Sequence, residues 1–209
     1  MRFYFDYISP YAYLAWTQLR AIAERHQREL EPVPILFAAL LNHWGHKGPA
    51  EIPPKKRYVF RDVVRRAHRL GVPIAPPPGH PFNPLLGLRV TAAAPAAQQL
   101  DVIDALYQAT WATRAGITDP DTVRDVLAPL GLSTLVDAAE SAEVKAQVRS
   151  NTEAAVEAGV FGVPTILVDD ELFWGTDSLE HLEAFLRGED PLTPEMTAAF
   201  AAMPAQATR

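Results

Sequence analysis

Ser9, Pro10 and Tyr11 are the first residues whose types and spacing can carry chemistry, because they stand where a helix is expected to begin. Serine is favoured as an N-cap and proline at the first helical position, so we predict a helix from Pro10 to about His26. The free amide groups at a helix N-terminus form a ready site for an anion. In isolation, Ser9 and Pro10 are also explained by a helix cap with no further role.

Two further groups lie near the end of the chain. Val163 and Pro164 begin a predicted strand, and a cis bond between them would expose backbone amide and carbonyl groups to a peptide-like ligand. The alternative is an ordinary strand start. Thr176 and Asp177 lie between the next strand and the last helix, so that Asp177 binds an ammonium group, caps the helix, or does both.

Hydrophobic periodicity and turn residues predict the strands that hold these groups. A strand over 2–6, the helix from Pro10 and a strand over 32–40 form a parallel β-α-β unit. Strands over 163–170 and 171–175 form a hairpin before a last helix, which Asp177 or Ser178 is expected to cap and which ends at Leu186. Strands at both ends of the chain therefore predict one sheet that is assembled from distant segments.

The middle of the chain is almost entirely helical. After a loop over 42–54, a helix is predicted from about Pro54 to the stop signal at Gly71, and a stiff proline-rich segment follows over 73–84. Asn83 is expected to cap the next helix. Breaks in the helical stretch that runs to about residue 159 are predicted at Pro95, 116–119, 131–133 and Ser141. We expect this block to pack over the sheet as an insertion.

Composition and charge narrow the classes of function. Hydrophobic residues make up 48% of the 209 residues, which is enough for a sizeable core. No apolar run reaches the roughly 18 residues of a membrane span, and the N-terminus lacks a signal-peptide pattern, so no membrane partner and a cytoplasmic location are expected. The absence of cysteine excludes thiol–disulfide exchange by the protein itself. A net charge of −6 argues against nucleic acid as a partner.

A basic run covers the start of the predicted insertion. Seven Lys and Arg residues and one acid, Asp62, lie between Lys55 and Arg69. The run is either a solvated helix face or a local field that attracts a small anionic ligand. Neither a metal site nor a serine hydrolase is expected, since His43 and His46 have no third ligand nearby and no G-x-S-x-G elbow is present.

Taken together, three stretches carry a resemblance to a known family. The stretches FYFDYISPYAYLA, GVFGVPTILV and FWGTDSLEHLEAFL resemble, in order and separation, the 2-hydroxychromene-2-carboxylate isomerases, which belong to the kappa-class glutathione transferase and DsbA-like branch of the thioredoxin superfamily. GPAEIPPKKRY and HPFNPLL are similar to the isomerase-type insertion. The resemblance covers roughly residues 2–187.

The resemblance implies an α/β, thioredoxin-like fold with a large all-helical insertion. The thioredoxin-like domain would comprise 1–41 and 160–188, the helical insertion 42–159, and a peripheral C-terminal tail 189–209. Redox relatives carry Cys-Pro-Tyr-Cys in the frame that here holds Ser9 to Ala12.

The resemblance also implies glutathione as a cofactor. The serine in the Ser9 place contacts the glutathione sulfur, and Val163 pairs through its backbone with the cysteinyl residue. Thr176 and Asp177 hold the γ-glutamyl end. The implied cofactor-binding residues are Ser9, Pro10, Tyr11, His46, Val163, Pro164, Thr176 and Asp177. His46 stands where the family often has asparagine.

The free energy needed to stabilise a glutathione thiolate can be compared with what Ser9 and the helix end contribute. Lowering the pKa of a thiol by about two pH units from about 8.5 requires roughly 2.7 kcal/mol of selective stabilisation of the thiolate. A hydrogen bond to a charged group contributes about 1.5–3 kcal/mol and a helix dipole about 0.3–1 kcal/mol. Ser9 and the helix end are therefore sufficient without a general base.

The function implied is a glutathione-dependent cis–trans isomerase that acts on 2-hydroxychromene-2-carboxylate or a similar aromatic 2-oxo acid, as in the catabolism of naphthalene-like aromatics. Phe82 and Asn83 are the expected substrate contacts, and Lys47, Lys55 and Arg57 are unranked partners for its carboxylate. Relatives imply a homodimer. A kappa-type transferase or peroxidase and a non-enzymatic DsbA-like binding protein are the alternatives.

Overall fold

One four-stranded sheet joins the two ends of the chain in the computed structural model, which describes residues 1–204. The strands are β1 (Arg2–Phe5), β2 (Glu31–Pro34), β3 (Thr165–Val168) and β4 (Glu171–Trp174). Their order is β2-β1-β3-β4, with β2 parallel to β1 and β3 antiparallel to both of its neighbours. The prediction of a single sheet from distant segments is therefore confirmed.

Ten helices surround this sheet within residues 1–204. They are α1 (Pro10–Arg25), α2 (Phe37–Trp44), α3 (Pro53–Leu70), α4 (Leu85–Ala93), α5 (Gln99–Trp111), α6 (Pro120–Leu127), α7 (Leu135–Ala138), α8 (Ala142–Glu157), α9 (Leu179–Leu186) and α10 (Pro194–Ala201). Short 3₁₀ turns cover Pro49–Glu51, Ala96–Gln98, Ala128–Leu130 and Thr176–Ser178. No helix in this part of the chain has the length and apolar character that crossing a membrane requires.

The prediction for 32–40 was wrong in its second half. Strand β2 ends at Pro34 and α2 begins at Phe37, inside the predicted strand. An apolar run of this length fits a strand or a buried helix equally well. The choice is made by distant residues, because Asp6 accepts the Phe37 amide and Thr152 accepts the Leu36 amide. The predicted loop over 42–54 is correspondingly shorter.

The remaining strand boundaries agree with the pattern to within two residues, although β3 begins at Thr165, so Val163 and Pro164 precede the strand and do not begin it. Helix α1 begins at Pro10, and the hairpin turns at Asp169 and Asp170, both of which have positive φ. The Asn83 side chain accepts the Leu85 amide at 3.0 Å, but Pro84 occupies the N-cap position of α4, one residue after the predicted cap. The prediction that Asp177 or Ser178 caps the last helix was right about the position of Ser178, which directly precedes α9. A 3₁₀ turn leads into the helix, and no side-chain hydrogen bond caps it within the described residues.

The main core lies where the sheet meets the helices of the central block. Strand β1 contributes Phe3 and Phe5, which contact Trp16 of α1 and Tyr107 of α5. The strand is central and its last three residues are buried, so an aromatic-rich run without alternation is what its position requires. Helix α10 has no buried residue. The domain boundaries given above stay predictions.

Candidate functional site

Ser9 and Val163, 154 residues apart in sequence, lie side by side. Ser9 is the N-cap of α1, and its Oγ accepts the Ala12 amide at 3.2 Å. The same hydroxyl donates to the Val163 carbonyl at 3.4 Å, and only 8% of Ser9 is exposed. The peptide bond between Val163 and Pro164 is cis. The structure thus brings together the first two groups that the sequence singled out.

Two backbone amides beside Ser9 are left without acceptors. Pro10 has no N–H and the Ala12 amide is bonded to Ser9, so Tyr11 carries the free donor at the start of α1. No hydrogen bond within residues 1–204 satisfies the N–H of Tyr11 or of Val163. Each backbone N–H is a strong hydrogen-bond donor. This pair of donors therefore suits an acceptor that is not part of the chain.

The loop that presents Ser9 is anchored by the helical block. Trp111 of α5 donates its indole N–H to the Tyr7 carbonyl at 2.8 Å, and the Tyr7 hydroxyl bonds to Thr91 of α4 at 2.6 Å. His80 Nε2 donates to the Ile8 carbonyl at 3.0 Å. Two successive residues of the loop, Tyr7 and Ile8, are thereby held in place from outside the sheet, directly before Ser9.

Asp6 fixes the same loop from beneath. The Asp6 side chain is fully buried and accepts the amides of Ile8 at 3.0 Å and Phe37 at 2.9 Å. Burial raises the pKa of Asp6 to about 7, although the two amide donors favour the charged form. Asp6 therefore links the Ser9 loop to the start of α2. Sequence reasoning missed this residue, although a lone acid that follows an aromatic strand was the available signal.

His80 brings aromatic side chains to the Ser9 loop. Its ring packs against Phe60, Phe82 and Trp111, with centroid distances of 5.1, 6.2 and 5.8 Å. Because the Ile8 carbonyl can only accept, Nε2 carries the proton and the buried Nδ1 is an acceptor without a partner in the described chain. Burial lowers the pKa of His80, which favours this neutral form. Sequence reasoning missed His80 itself and named only its neighbours.

Of those two neighbours, Phe82 is connected to the Ser9 loop through its contact with His80, whereas Asn83 contacts the start of α4. Phe82 is half-buried against the core and the His80 ring, whereas Asn83 is exposed and its side-chain oxygen accepts the Leu85 amide. The Lys56 ammonium donates to the His80 carbonyl at 2.7 Å, which ties this segment to α3. The segment therefore reaches the Ser9 loop through His80.

A polar network joins α1 to the turn before α9. The Tyr11 hydroxyl donates to Asp62 Oδ2 at 2.8 Å, and Arg66 Nε donates to the same oxygen at 2.6 Å. Burial works against the charged form of Asp62, but the hydrogen bonds from Arg66 and Tyr11 lower its pKa. Arg66 Nη1 lies 3.5 Å from Thr176 Oγ1, and the guanidinium stands over the Tyr11 ring. Tyr11 and Thr176 are thus connected through α3.

Sequence reasoning named Asp62 only as the one acid of the basic run and gave neither Asp62 nor Arg66 a role. Their spacing of four residues on a helix was the only local signal. The structure also keeps some predicted residues apart from this network. His46, Lys47, Lys55 and Arg57 are exposed, and no hydrogen bond within residues 1–204 joins their side chains to Ser9, Val163 or Thr176. Their roles stay predictions.

Comparison with known proteins identifies the family. The model of the DsbA-like thioredoxin domain matches residues 1–187. The chain belongs to the DsbA-like thioredoxin family. This membership confirms the predicted thioredoxin-like fold class.

Several individual proteins are similar to this chain in sequence or in structure. The chain is 30% identical over 188 residues to a 2-hydroxychromene-2-carboxylate isomerase of Sphingobium xenophagum, covering 88% of this chain and 96% of that protein. It is 27% identical over 204 residues to glutathione S-transferase kappa 2 of Caenorhabditis elegans, covering 89% and 91%. A solved structure of 2-hydroxychromene-2-carboxylate isomerase superposes with a TM-score of 0.80 at 25% identity, covering 97% and 98%. The predicted kinship is confirmed, and these relatives support an isomerase.

Proposed function

We propose that the protein is a glutathione-dependent cis–trans isomerase that acts on 2-hydroxychromene-2-carboxylate or a similar aromatic 2-oxo acid. The observation that carries the proposal is the pairing of the Ser9 hydroxyl with Val163, whose amide has no acceptor within residues 1–204, in a chain without cysteine. A thioredoxin-like site that lacks its own sulfur is suited to a peptide that brings one. The kinship with isomerases and kappa-class transferases supports the same choice.

The residues present fit glutathione along its length. The Val163 amide and carbonyl are the backbone pair for the cysteinyl residue, and Thr176 and Asp177 offer oxygen acceptors for the α-ammonium group at the γ-glutamyl end. Pro10, Tyr11 and Pro164 shape the surface between these two ends. His46 is proposed to hydrogen-bond the remaining end of the tripeptide from the turn after α2.

Ser9 is the residue proposed to act on the sulfur. Its hydroxyl bond to Val163 is long at 3.4 Å, so turning that proton toward a thiolate sacrifices little. When bound, glutathione supplies the thiolate that adds reversibly to an unsaturated carbon of the substrate, so that a locked double bond can rotate. The free Tyr11 amide at the start of α1 adds a second donor beside the same anion.

The substrate is proposed to lie against Phe82, beside the His80 ring, with Asn83 at the rim. The exposed Lys47, Lys55 and Arg57 are proposed, without ranking, as partners for its carboxylate. We also propose that the enzyme works in the cytoplasm as a homodimer in aromatic catabolism.

The test is turnover of 2-hydroxychromene-2-carboxylate by wild-type protein and Ser9→Ala, with and without glutathione. Ser141→Ala is the matched control, because Ser141 caps α8 through the same 3.2 Å bond to an amide and lies outside the site. We expect glutathione-dependent turnover that Ser9→Ala lowers by about tenfold or more and Ser141→Ala leaves unchanged. Full activity in Ser9→Ala would refute the proposal.

The kinship with a kappa-class transferase favours a second candidate function, transfer of glutathione or reduction of a peroxide. The same residues would hold the thiolate, so the site does not distinguish the two reactions. Product analysis does, because an isomerase regenerates glutathione whereas a transferase or peroxidase consumes it. Failure of the wild-type protein to bind glutathione in calorimetry would instead favour a non-enzymatic binding protein.

A further inference from the structure

One cation of the basic run on α3, Arg66, forms an ion pair, and within residues 1–204 no other cation of that run does so. Arg66 is partly buried, with 27% of its side chain exposed, and Asp62 beside it is 17% exposed. The neighbouring Arg65 is exposed. Asp62 accepts hydrogen bonds from both Arg66 Nε and the Tyr11 hydroxyl, so α3 and α1 together orient the guanidinium. A side chain that only interacts with solvent would not need this support.

The orientation of Arg66 brings N–H donors of its guanidinium to the turn that begins at Thr176. A guanidinium has five N–H groups in a rigid fork. Asp62 takes the one on Nε, and Thr176 Oγ1 lies 3.5 Å from Nη1. The other N–H groups have no hydrogen-bond partner within residues 1–204. They are therefore available to an anion that lies near Thr176.

Asp177 supplies the opposite charge next to the same threonine. It is exposed and attracts Arg66 electrostatically, yet the two side chains form no ion pair within residues 1–204. A cation and an anion that attract each other without pairing with one another, both close to the turn at Thr176, complement a group that carries both charges. The head of an α-amino acid, with its carboxylate and ammonium on one carbon, is such a group.

We propose that Arg66 binds the α-carboxylate of the γ-glutamyl residue of glutathione while Asp177 holds the α-ammonium group. This inference rests on the proposed glutathione site and adds a residue from the helical insertion to it. Asp62 is a positioning residue, because it holds Arg66 and Tyr11 together. The arrangement makes the site selective for a free α-amino acid head, so that a tripeptide without that head binds weakly.

The test combines changes in the protein with changes in the ligand. Calorimetry measures the affinity of wild type, Arg66→Met and Arg66→Lys for glutathione and for 4-aminobutyryl-cysteinyl-glycine, which lacks only the α-carboxylate. Arg65→Met is the matched control on the same helix. Arg66→Met is expected to weaken glutathione by about 10- to 100-fold, with a smaller loss in Arg66→Lys and no change in Arg65→Met. The analogue is expected to bind wild type and Arg66→Met equally.

The outcomes separate this inference from the proposed function. Equal losses for glutathione and the analogue in Arg66→Met would overturn the role of Arg66 as a carboxylate ligand, because the substitution would then act through structure. Unchanged glutathione affinity would overturn it as well. If Arg66→Met does not fold, the difference between the two ligands in wild type and Arg66→Lys decides. Absence of glutathione binding by wild type would refute the proposed function itself.

Discussion

Asp6 makes a prediction about stability that follows from its burial. The carboxyl group is fully buried under the Ser9 loop, and its pKa is raised from 3.8 to about 7. Between these two values the folded protein binds one more proton than the unfolded chain, so the free energy of unfolding falls as the pH rises. The 1.36 kcal/mol for each pH unit gives a loss of about 4 kcal/mol across the window.

The perturbation that isolates this effect is Asp6→Asn, which keeps the shape of the side chain and removes its titration. Denaturant unfolding of wild type and variant from pH 4.5 to 8 measures the difference in free energy of unfolding. We expect wild-type stability to fall relative to the variant by about 3 kcal/mol up to pH 7 and then to level off. Asparagine accepts only one of the two amides that Asp6 accepts, so the variant also carries a pH-independent penalty.

The control is Asp125→Asn, since Asp125 is exposed on α6 and should leave the pH dependence of wild type unchanged. If wild type and Asp6→Asn show the same pH dependence, the reasoning is refuted. The amides of Ile8 and Phe37 would then stabilise the charged carboxylate enough to cancel the cost of burial. That result would make Asp6 a permanent anion beneath the Ser9 loop.

Two substitutions near the site test its supports by denaturant unfolding. Gly87→Ala should lower stability by about 1–3 kcal/mol, because the new Cβ would lie 2.7 Å from Ile117 Cδ1 and 3.1 Å from Tyr7; Gly79→Ala, with open space, is its control. Tyr11→Phe should cost about 0.5–1.5 kcal/mol by removing the 2.8 Å bond to Asp62. An unchanged midpoint in either variant would contradict the corresponding contact.

Local sequence patterns predict the elements whose formation depends on their own residues. Helix α1 follows from Ser9, Pro10 and an apolar stripe, and the hairpin follows from the turn at Asp169 and Asp170. Prediction from local sequence patterns fails for helix α2. Its apolar residues fit either a strand or a helix, and the amides at its start are accepted by Asp6 and Thr152 from elsewhere in the chain. Local periodicity contains no information about those partners.

The same distinction holds for the candidate site. The adjacency of Ser9 and Val163 was predicted, because both belong to motifs that resemble a known family. The supports of the site were not. Arg66 reaches Thr176 across 110 residues, and His80 reaches Ile8 across 72. Such contacts depend on how the insertion packs on the sheet, so only a tertiary structure separates Arg66 from the other cations of its helix.

The proposed function depends on stabilisation of the thiolate of bound glutathione by Ser9 and the start of α1. The most direct measurement is the pKa of the thiol of bound glutathione, followed by the ultraviolet absorbance of the thiolate in wild type and Ser9→Ala. In wild type we expect this pKa to lie about two pH units below the roughly 8.5 of an ordinary thiol. In Ser9→Ala we expect the pKa to return most of the way toward that ordinary value. Glutathione that binds to wild type yet titrates as it does free in solution would contradict the account.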